Sequence, residues 1–76
     1  MTDEEKLERL QIIFREVLDR PGLRLTEDFS AADCPEWDSV ATVQIVLAIE
    51  AELEIRVPME AVAKLERVSD LMLLMP

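Results

Sequence analysis

The residues best placed to do chemistry are Asp38 and Ser39, which open the longest helix-like apolar pattern in the chain, from Ser39 to about Leu53. Asp38 is suited to be the N-cap, since its carboxylate can accept a hydrogen bond from an unpaired N–H of the first turn. Ser39 then takes the first helical position, with its hydroxyl beside free amide donors and the positive end of the helix dipole. The pair predicts a helix start at which a phosphate on the serine hydroxyl is electrostatically favoured.

The other reactive groups argue against catalysis. The chain has no His, so neither Ser39 nor Cys34 has the usual base that activates a nucleophile. Cys34 lies close to Asp33 and Glu36, whereas reactive cysteines need a nearby cation or base. One Cys without His cannot build a Cys/His zinc site, and one Gly cannot build a phosphate-binding glycine-rich loop. We expect no enzyme, no catalytic residue and no metal site.

The helical period is lost in an acidic stretch from Arg20 to Glu36. A loop of this length in so small a protein is typical of a functional segment. A calcium loop is one interpretation, but the EF-hand ligand spacing is absent and the only glycine is Gly22. We interpret the stretch as a solvated acidic surface, with Leu25 and Phe29 as its anchors on the core.

Helical spacing of apolar residues predicts a first helix from Asp3 to Asp19. Thr2 and Glu5 have the spacing of a capping box, and negative charge in the first turn is favourable there. Pro21-Gly22 then ends the helix. No residue of this helix indicates chemistry, so we interpret its apolar stripe as core.

The C-terminal third of the chain predicts two further helices. Glu54 to Pro58 forms an extended connection, and a short helix follows from Pro58 to Leu65. Ser69 is a suitable N-cap for the last helix. The expected fold is therefore all-α: a single domain over 1–76, a small four-helix bundle with three longer helices, one short helix and a long loop between helices 1 and 2.

The second helix carries two apolar stripes when projected at about 100° per residue. One is a core stripe of Thr42, Ile45, Val46, Ile49 and Leu53. The other stripe contains Val40, Val43 and Leu47 and adjoins the direction of Ser39. Together they are wider than one buried face requires, so we predict that the second stripe is exposed and binds partners, with Glu50 and Glu54 at its border.

The net charge of −9 limits the classes of partner. Nucleic acid and anionic membranes would repel such a chain, whereas a basic docking patch on a protein would attract it. The N-terminus has no secretory signal, no stretch reaches membrane-spanning length, and a single Cys cannot form an internal disulfide. We therefore expect a cytoplasmic monomer without nucleic-acid or membrane partners.

Asp38-Ser39-Val40, with the spacing of residues downstream of it, resembles the acyl carrier protein family. The downstream residues that carry the resemblance are Val43, Ile45, Val46, Ile49, Glu50, Leu53, Ile55-x-Val57-Pro58 and Val68. The resemblance covers nearly the whole chain and implies that a phosphopantetheinyl transferase attaches a 4'-phosphopantetheine arm to Ser39. The terminal thiol of the arm would then hold acyl groups as thioesters.

The resemblance implies an acyl carrier protein of fatty-acid, lipid or secondary-metabolite biosynthesis, which presents its cargo to acyl-loading and acyl-using enzymes with basic docking patches. It also makes the second helix the recognition helix. The chain departs from many fatty-acid synthase carriers at Ala41, Gln44 and Ala51, where those carriers are acidic. It has Glu36-Trp37 where a Gly is common before the motif, and Val40 where Leu is usual. These departures favour a specialised carrier.

Two alternative functions remain open from the sequence. Within the carrier class, the cargo could be an aminoacyl group such as D-alanine, or a peptidyl or other intermediate of a peptide or polyketide pathway. Outside the class, the chain could be an unmodified acidic helical adaptor that binds a basic partner through Val40, Val43 and Leu47. We interpret Trp37 as a packing residue that fixes the entry into the second helix, with contact to the arm as the second interpretation.

Overall fold

Four α-helices make up the regular structure in the computed structural model, which describes residues 1–76. They are α1 (Asp3–Val17), α2 (Ser39–Leu53), α3 (Met59–Val62) and α4 (Val68–Leu74). The helices α1 and α2 have 15 residues each, α4 has 7 and α3 has 4. The predicted all-α class with four helices is confirmed, but two helices are long and two are short. None of them is both long enough and apolar enough to cross a bilayer.

The predicted capping box is present at the start of α1. Thr2 Oγ1 accepts a hydrogen bond from the Glu5 N–H at 3.2 Å, and Glu5 Oε1 accepts one from the Thr2 N–H at 3.3 Å. These bonds satisfy donors that a helix start otherwise leaves unpaired. The backbone hydrogen bond from Thr2 is also the main reason why the pKa of the Glu5 carboxyl lies below its ordinary value.

The end of α1 lies at Val17, two residues before the predicted Asp19. Asp19 adopts the left-handed conformation, with φ 53°. The following N–H, of Arg20, then reaches back to the Arg15 carbonyl oxygen at 3.0 Å, which closes the last turn. Glycine usually takes this position, so no residue type in the sequence indicated that the helix stops before Pro21-Gly22.

One cluster of 16 buried residues, all of them apolar, holds the helices together. Within it, α1 packs on both α2 and α4, whereas α3 packs only on α2. Three members come from the α2 stripe that was predicted to be core. Cys34 is also a member, and its sequence context indicated no function. The members are Leu10, Ile13, Phe14, Leu18, Leu23, Leu25, Cys34, Trp37, Ala41, Ile45, Val46, Ile49, Val68, Leu71, Met72 and Met75.

The long connection between α1 and α2 is tied to α1 by two polar side chains. Gln11 Oε1 accepts a hydrogen bond from the Leu25 N–H at 2.9 Å, and Arg15 Nε donates to the Leu23 carbonyl oxygen at 2.8 Å. Leu25 is buried and Phe29 is half-buried, in agreement with their predicted role as anchors. Leu23 is a further buried anchor that the sequence did not indicate.

The same connection pairs with the segment that leads into α4. The Val68 N–H donates to the Phe29 carbonyl oxygen, and the Ala31 N–H donates to the Glu66 carbonyl oxygen, each at 2.9 Å. An isolated antiparallel bridge forms between the two segments. The loop lies outside the four α-helices, so its backbone N–H and C=O groups need other partners, and these bonds supply them. The same bonds hold the loop against the bundle.

The short helix α3 ends at Val62 and not at the predicted Leu65. Beyond Val62 the chain tightens into turns, in which the Leu65 N–H donates to the carbonyl oxygen of Val62, three residues earlier. Pro58 occupies the N-cap position of α3 with φ −65°, next to the first turn in which it was predicted.

The last helix begins at Val68, so Ser69 lies in its first turn and is not the N-cap that the sequence predicted. Asp70 takes over the capping. Its Oδ2 accepts hydrogen bonds from the N–H groups of Glu66 and Arg67, both at 3.0 Å. A carboxylate in the first turn of a helix is also favourable for the helix dipole.

Trp37 anchors the end of the long connection to the start of α2. Its buried ring meets Phe14 edge-on, with the centroids 4.9 Å apart, and stacks on Phe29 with the centroids 6.0 Å apart. The indole Nε1–H donates to Thr42 Oγ1, and the Thr42 hydroxyl donates to the Asp38 carbonyl oxygen, each at 2.9 Å. The predicted packing role of Trp37 is therefore confirmed.

We expect Thr42→Val to lower the free energy of unfolding by about 1–3 kcal/mol, because the buried indole N–H of Trp37 then has no acceptor. Trp37→Phe removes the donor together with part of the ring. Because both variants break the same hydrogen bond, the double variant is expected to lose less stability than the two single variants together. Urea unfolding followed by circular dichroism measures all four proteins. Additive losses would contradict a role for the hydrogen bond.

Candidate functional site

The candidate site is built on Asp38 and Ser39 at the start of α2. Asp38 is the N-cap, as predicted: its Oδ1 accepts a hydrogen bond from the Ala41 N–H at 2.9 Å. The Asp38 carbonyl oxygen accepts from the Thr42 N–H, also at 2.9 Å. These bonds fix the backbone on both sides of Ser39. The Ser39 side chain is exposed and its hydroxyl is bonded to no other protein atom.

Two backbone donors lie beside the Ser39 hydroxyl. The N–H groups of Ser39 and Val40 donate to no protein atom, whereas the Ala41 N–H is taken by Asp38. Free N–H groups and the positive end of the helix dipole favour an anion at this point. A phosphate ester on the Ser39 oxygen therefore fits the residues present, since it would meet donors and open solvent.

A groove of about 300 Å³ runs beside Ser39. Trp37, Thr42 and Val43 line it on the α2 side, and Val62 lines it from α3. Because the Thr42 hydroxyl already accepts from Trp37 and donates to the backbone, it offers little further polarity to the groove. The walls are thus mainly apolar. No group of three or more acidic or cysteine side chains lies close enough together to hold a metal ion.

The α2 residues predicted to bind partners lie at the surface. Val40, Val43 and Leu47 are 64%, 41% and 58% exposed. Val43 and Leu47 also line a shallow dimple together with Met59 of α3, which is 73% exposed. Met59 therefore extends the apolar surface beyond α2. Partner binding by these residues stays a prediction.

Glu50 and Glu54, predicted to border this surface, have different surroundings. Glu50 is half-buried, and its Oε2 accepts a hydrogen bond from the Val57 N–H at 2.8 Å. One of its carboxylate oxygens thus holds the segment that leads to α3. Glu54 is exposed and left-handed, with φ 55°, directly after α2. A role of either residue in partner binding stays a prediction, but Glu50 has a structural contact that the sequence did not indicate.

Comparison with known proteins matches this fold and this site. A family profile described as "Phosphopantetheine attachment site" matches residues 8–74. The solution NMR structure of a holo acyl carrier protein from Geobacter metallireducens is similar, with a TM-score of 0.81 and 33% sequence identity. That match covers 91% of this chain and 79% of the other. Among curated proteins, no sequence matches.

The helical fold and the matched profile define a carrier of phosphopantetheine. The chain belongs to the acyl carrier protein family. Its cofactor is 4'-phosphopantetheine, which is attached covalently, and the protein carries acyl groups for enzymes and is not itself an enzyme. Family membership also favours the carrier function over the adaptor function that the sequence left open.

Removal of the cap is expected to destabilise α2 at its start. We expect Asp38→Ala to lower the free energy of unfolding by about 1 kcal/mol, because the Ala41 N–H loses its acceptor. Asp38→Asn keeps an acceptor oxygen and is expected to lose much less. Urea unfolding measures both, with Asp28→Ala as a control that removes an exposed acidic residue. A loss no larger than that of the control would contradict the capping role.

Two variants separate the effect of the Glu50 hydrogen bond on stability from the effect of its negative charge. We expect Glu50→Ala to lower the free energy of unfolding by about 1–2 kcal/mol, because the Val57 N–H loses its acceptor. Glu52→Ala is the matched control, since it removes the same charge from the last turn of α2 at an exposed position. Amide hydrogen exchange is expected to become faster at Val57 in the first variant only. Equal effects of both variants would contradict the contact.

Proposed function

We propose that Ser39 carries the 4'-phosphopantetheine arm through a phosphodiester bond at its Oγ. The observation that supports this is an exposed hydroxyl at the start of a long helix, beside two free N–H groups. The other two serines lack this combination. The Ser30 hydroxyl donates to Asp33 Oδ2 at 2.9 Å, and Ser69 is half-buried in the first turn of α4.

The role of the protein under this proposal is to hold the arm at a defined point. When attached, the arm supplies a terminal thiol that binds acyl groups as thioesters. Asp38 and Thr42 keep the backbone at Ser39 fixed, so that the arm moves while its base does not. Tethering raises the effective concentration of the acyl group at each docked enzyme without any new contact to that group.

The proposed partners are a phosphopantetheinyl transferase and acyl-loading and acyl-using enzymes. The net charge of −9 supports partners with basic surfaces around their docking sites, because opposite charge accelerates encounter. The interfaces are expected to be small and short-lived, since one carrier visits several enzymes. We further propose that the whole chain of residues 1–76 is one carrier domain that acts as a monomer in the cytoplasm, where a free thiol stays reduced.

The proposed pathway class is fatty-acid, lipid or secondary-metabolite biosynthesis. Ala41, Gln44 and Ala51 are uncharged at positions where many fatty-acid synthase carriers are acidic. Gln44 and Ala51 are exposed on the helix that we propose partners contact, so the difference at these two positions supports a specialised carrier with dedicated partners, whereas Ala41 is buried. The groove beside Ser39 supports an apolar acyl group as cargo more than a charged one.

Incubation of the protein with coenzyme A, Mg²⁺ and a broad-specificity phosphopantetheinyl transferase tests the attachment site. Intact-mass measurement is expected to show the gain of one phosphopantetheine per chain. Ser39→Ala is expected to abolish the gain completely, because the accepting oxygen is lost.

Ser30→Ala and Ser69→Ala are matched controls, since each removes one of the other hydroxyls of the same type. Both are expected to gain the full mass. Circular dichroism of all variants checks that the fold is retained. Modification of Ser39→Ala, or loss of modification in either control with the fold intact, would contradict the proposed site.

A further inference from the structure

The segment of residues 58–65, which contains α3, forms no hydrogen bond with the rest of the molecule. Every hydrogen bond that these residues make joins two members of the same segment. None of them is fully buried, and only Ala61, Val62 and Leu65 are half-buried. Segments with so few buried contacts open more easily than the helices beside them. The position of α3 therefore depends strongly on how the chain is held just before and just after this segment.

The two ends of the segment are held in different ways. After it, Glu66 and Val68 each make a backbone hydrogen bond with the long connection, and Val68 is fully buried. Before it, the Val57 N–H donates to Glu50 Oε2 at 2.8 Å, and we call this bond the α3 tether. A side chain can rotate away from its donor, whereas two backbone bonds beside a buried residue must break together. The tether is therefore the end that opens, and the bridge is the end that stays fixed.

The tether also affects the cavities between α2 and α3. Val43 of α2 and Val62 of α3 each line both the groove beside Ser39 and the dimple next to Glu50. These two side chains therefore lie at the boundary between the two cavities. Movement of α3 away from α2 would separate them and join the groove and the dimple into one open trough. Trp37 lines the groove and is only 3% exposed, so such a movement would also change its access to solvent.

We propose that Glu50 is a positioning residue for the cargo of the arm, because its hydrogen bond to Val57 keeps α3 in place as the second wall of the groove. While the tether is intact, an apolar acyl group in the groove is shielded from solvent on both sides. When the tether breaks, residues 58–65 move away on the bridge at Glu66, and one side of the acyl group becomes exposed. This inference rests on the proposed attachment at Ser39 and adds the residue that determines how well the groove encloses the cargo.

Three variants of the protein without its arm test the tether. Glu50→Ala removes the acceptor, and Glu50→Gln keeps an acceptor oxygen but removes the charge. Gln11→Ala is the matched control: it removes the side-chain acceptor of another backbone N–H, that of Leu25, on a helix that α3 does not pack on. One readout is amide hydrogen exchange at residues 61–65, whose N–H groups are all hydrogen-bonded. The other is quenching by acrylamide of the fluorescence of Trp37, the only tryptophan.

We expect Glu50→Ala to accelerate exchange at residues 61–65 by about fivefold, because the loss of one hydrogen bond to a charged group raises the opening equilibrium by that order. Quenching of Trp37 is expected to increase in the same variant. Glu50→Gln is expected to stay within about twofold of the original protein, since its amide oxygen still accepts the hydrogen bond. Gln11→Ala is also expected to stay within about twofold, because exchange at these residues follows local opening and not global unfolding.

The same four proteins, loaded from octanoyl- or acetyl-coenzyme A by the broad-specificity transferase, test the effect on cargo. Hydroxylamine attacks the thioester carbonyl carbon through its nitrogen, the C–S bond breaks, and the nitrogen's proton ends on the released thiol as the hydroxamate leaves. Intact-mass time courses give the cleavage rates. We expect Glu50→Ala to lose octanoyl about fivefold faster than the original protein, in proportion to the opening. Acetyl is expected to be lost at equal rates from all four proteins, because it buries little apolar surface.

Two results would overturn the inference while the original protein still gains its arm. One is exchange at residues 61–65 that is unchanged in Glu50→Ala, or equally fast in Gln11→Ala, which indicates that the tether does not hold α3. The other is faster exchange in Glu50→Ala without faster loss of octanoyl, or with an equal effect on acetyl, which indicates that α3 does not shield the cargo. Absence of any mass gain in the original protein would instead contradict the attachment at Ser39, and the role in cargo positioning would fail with it.

Discussion

The function of this carrier depends on a fixed backbone at the start of α2. The Asp38 carboxylate holds the first turn through the Ala41 N–H, and the Asp38 carbonyl oxygen receives both the N–H and the hydroxyl of Thr42. Trp37 joins this network through its indole N–H and is packed among the aromatic rings of the core. The hydrogen bonds and the ring packing support each other, because each restricts the same two or three residues. An exposed side chain on this turn can therefore move while its base stays in place.

The two walls of the groove beside Ser39 are held with unequal strength. The α2 wall belongs to a helix that packs on α1 and contributes several buried residues to the core. The opposite wall is α3, which has only four residues, contributes none that is fully buried and packs on α2 alone. Segments with few buried contacts open most easily. The hydrogen bond from the Val57 N–H to Glu50 is thus a main constraint on where α3 lies, so Glu50, which also lines the dimple beside α2, affects the groove beside Ser39.

The sequence was informative where side-chain chemistry acts locally, and less so where distant backbone groups meet. The start of α2 and the capping box of α1 were predictable, because Asp38 and the Thr2–Glu5 pair act within one turn of themselves. The exposed stripe of α2 was predictable because a helix in a chain this small has only one side to bury. The prosthetic group was inferred from the family resemblance alone, because no physical pattern in the chain specifies it.

The features that escaped prediction depend on tertiary context. Asp19 adopts a left-handed conformation that usually requires glycine, so the end of α1 had no residue signal. The contact between Glu50 and the Val57 N–H joins residues seven apart across a helix end, where no periodic pattern applies. Ser69 is a common N-cap residue, but the N–H groups of Val68 and Ser69 donate to the carbonyl oxygens of Phe29 and Glu27 in the long connection, and the helix already begins at Val68. The hydrogen bonds of Glu50 and of the start of α4 join segments that meet only in the folded chain, and there they override local preferences of the sequence.

Long-range attraction and direct contact are two stages of recognition that depend on charge in different ways. Coulomb attraction acts over roughly a Debye length, about 10 Å at moderate salt, so acidic residues anywhere on a protein of this size influence an approaching enzyme. Direct contact is governed by desolvation, which penalises unpaired charge and favours apolar surface. In this chain residues 39–49 of α2 carry no charge and follow the charged cap Asp38, while α1 and the long connection carry much of the net charge of −9. A partner that contacted these α2 residues would be selected by shape and apolar contact, while the acidic residues elsewhere on the chain attract it at long range.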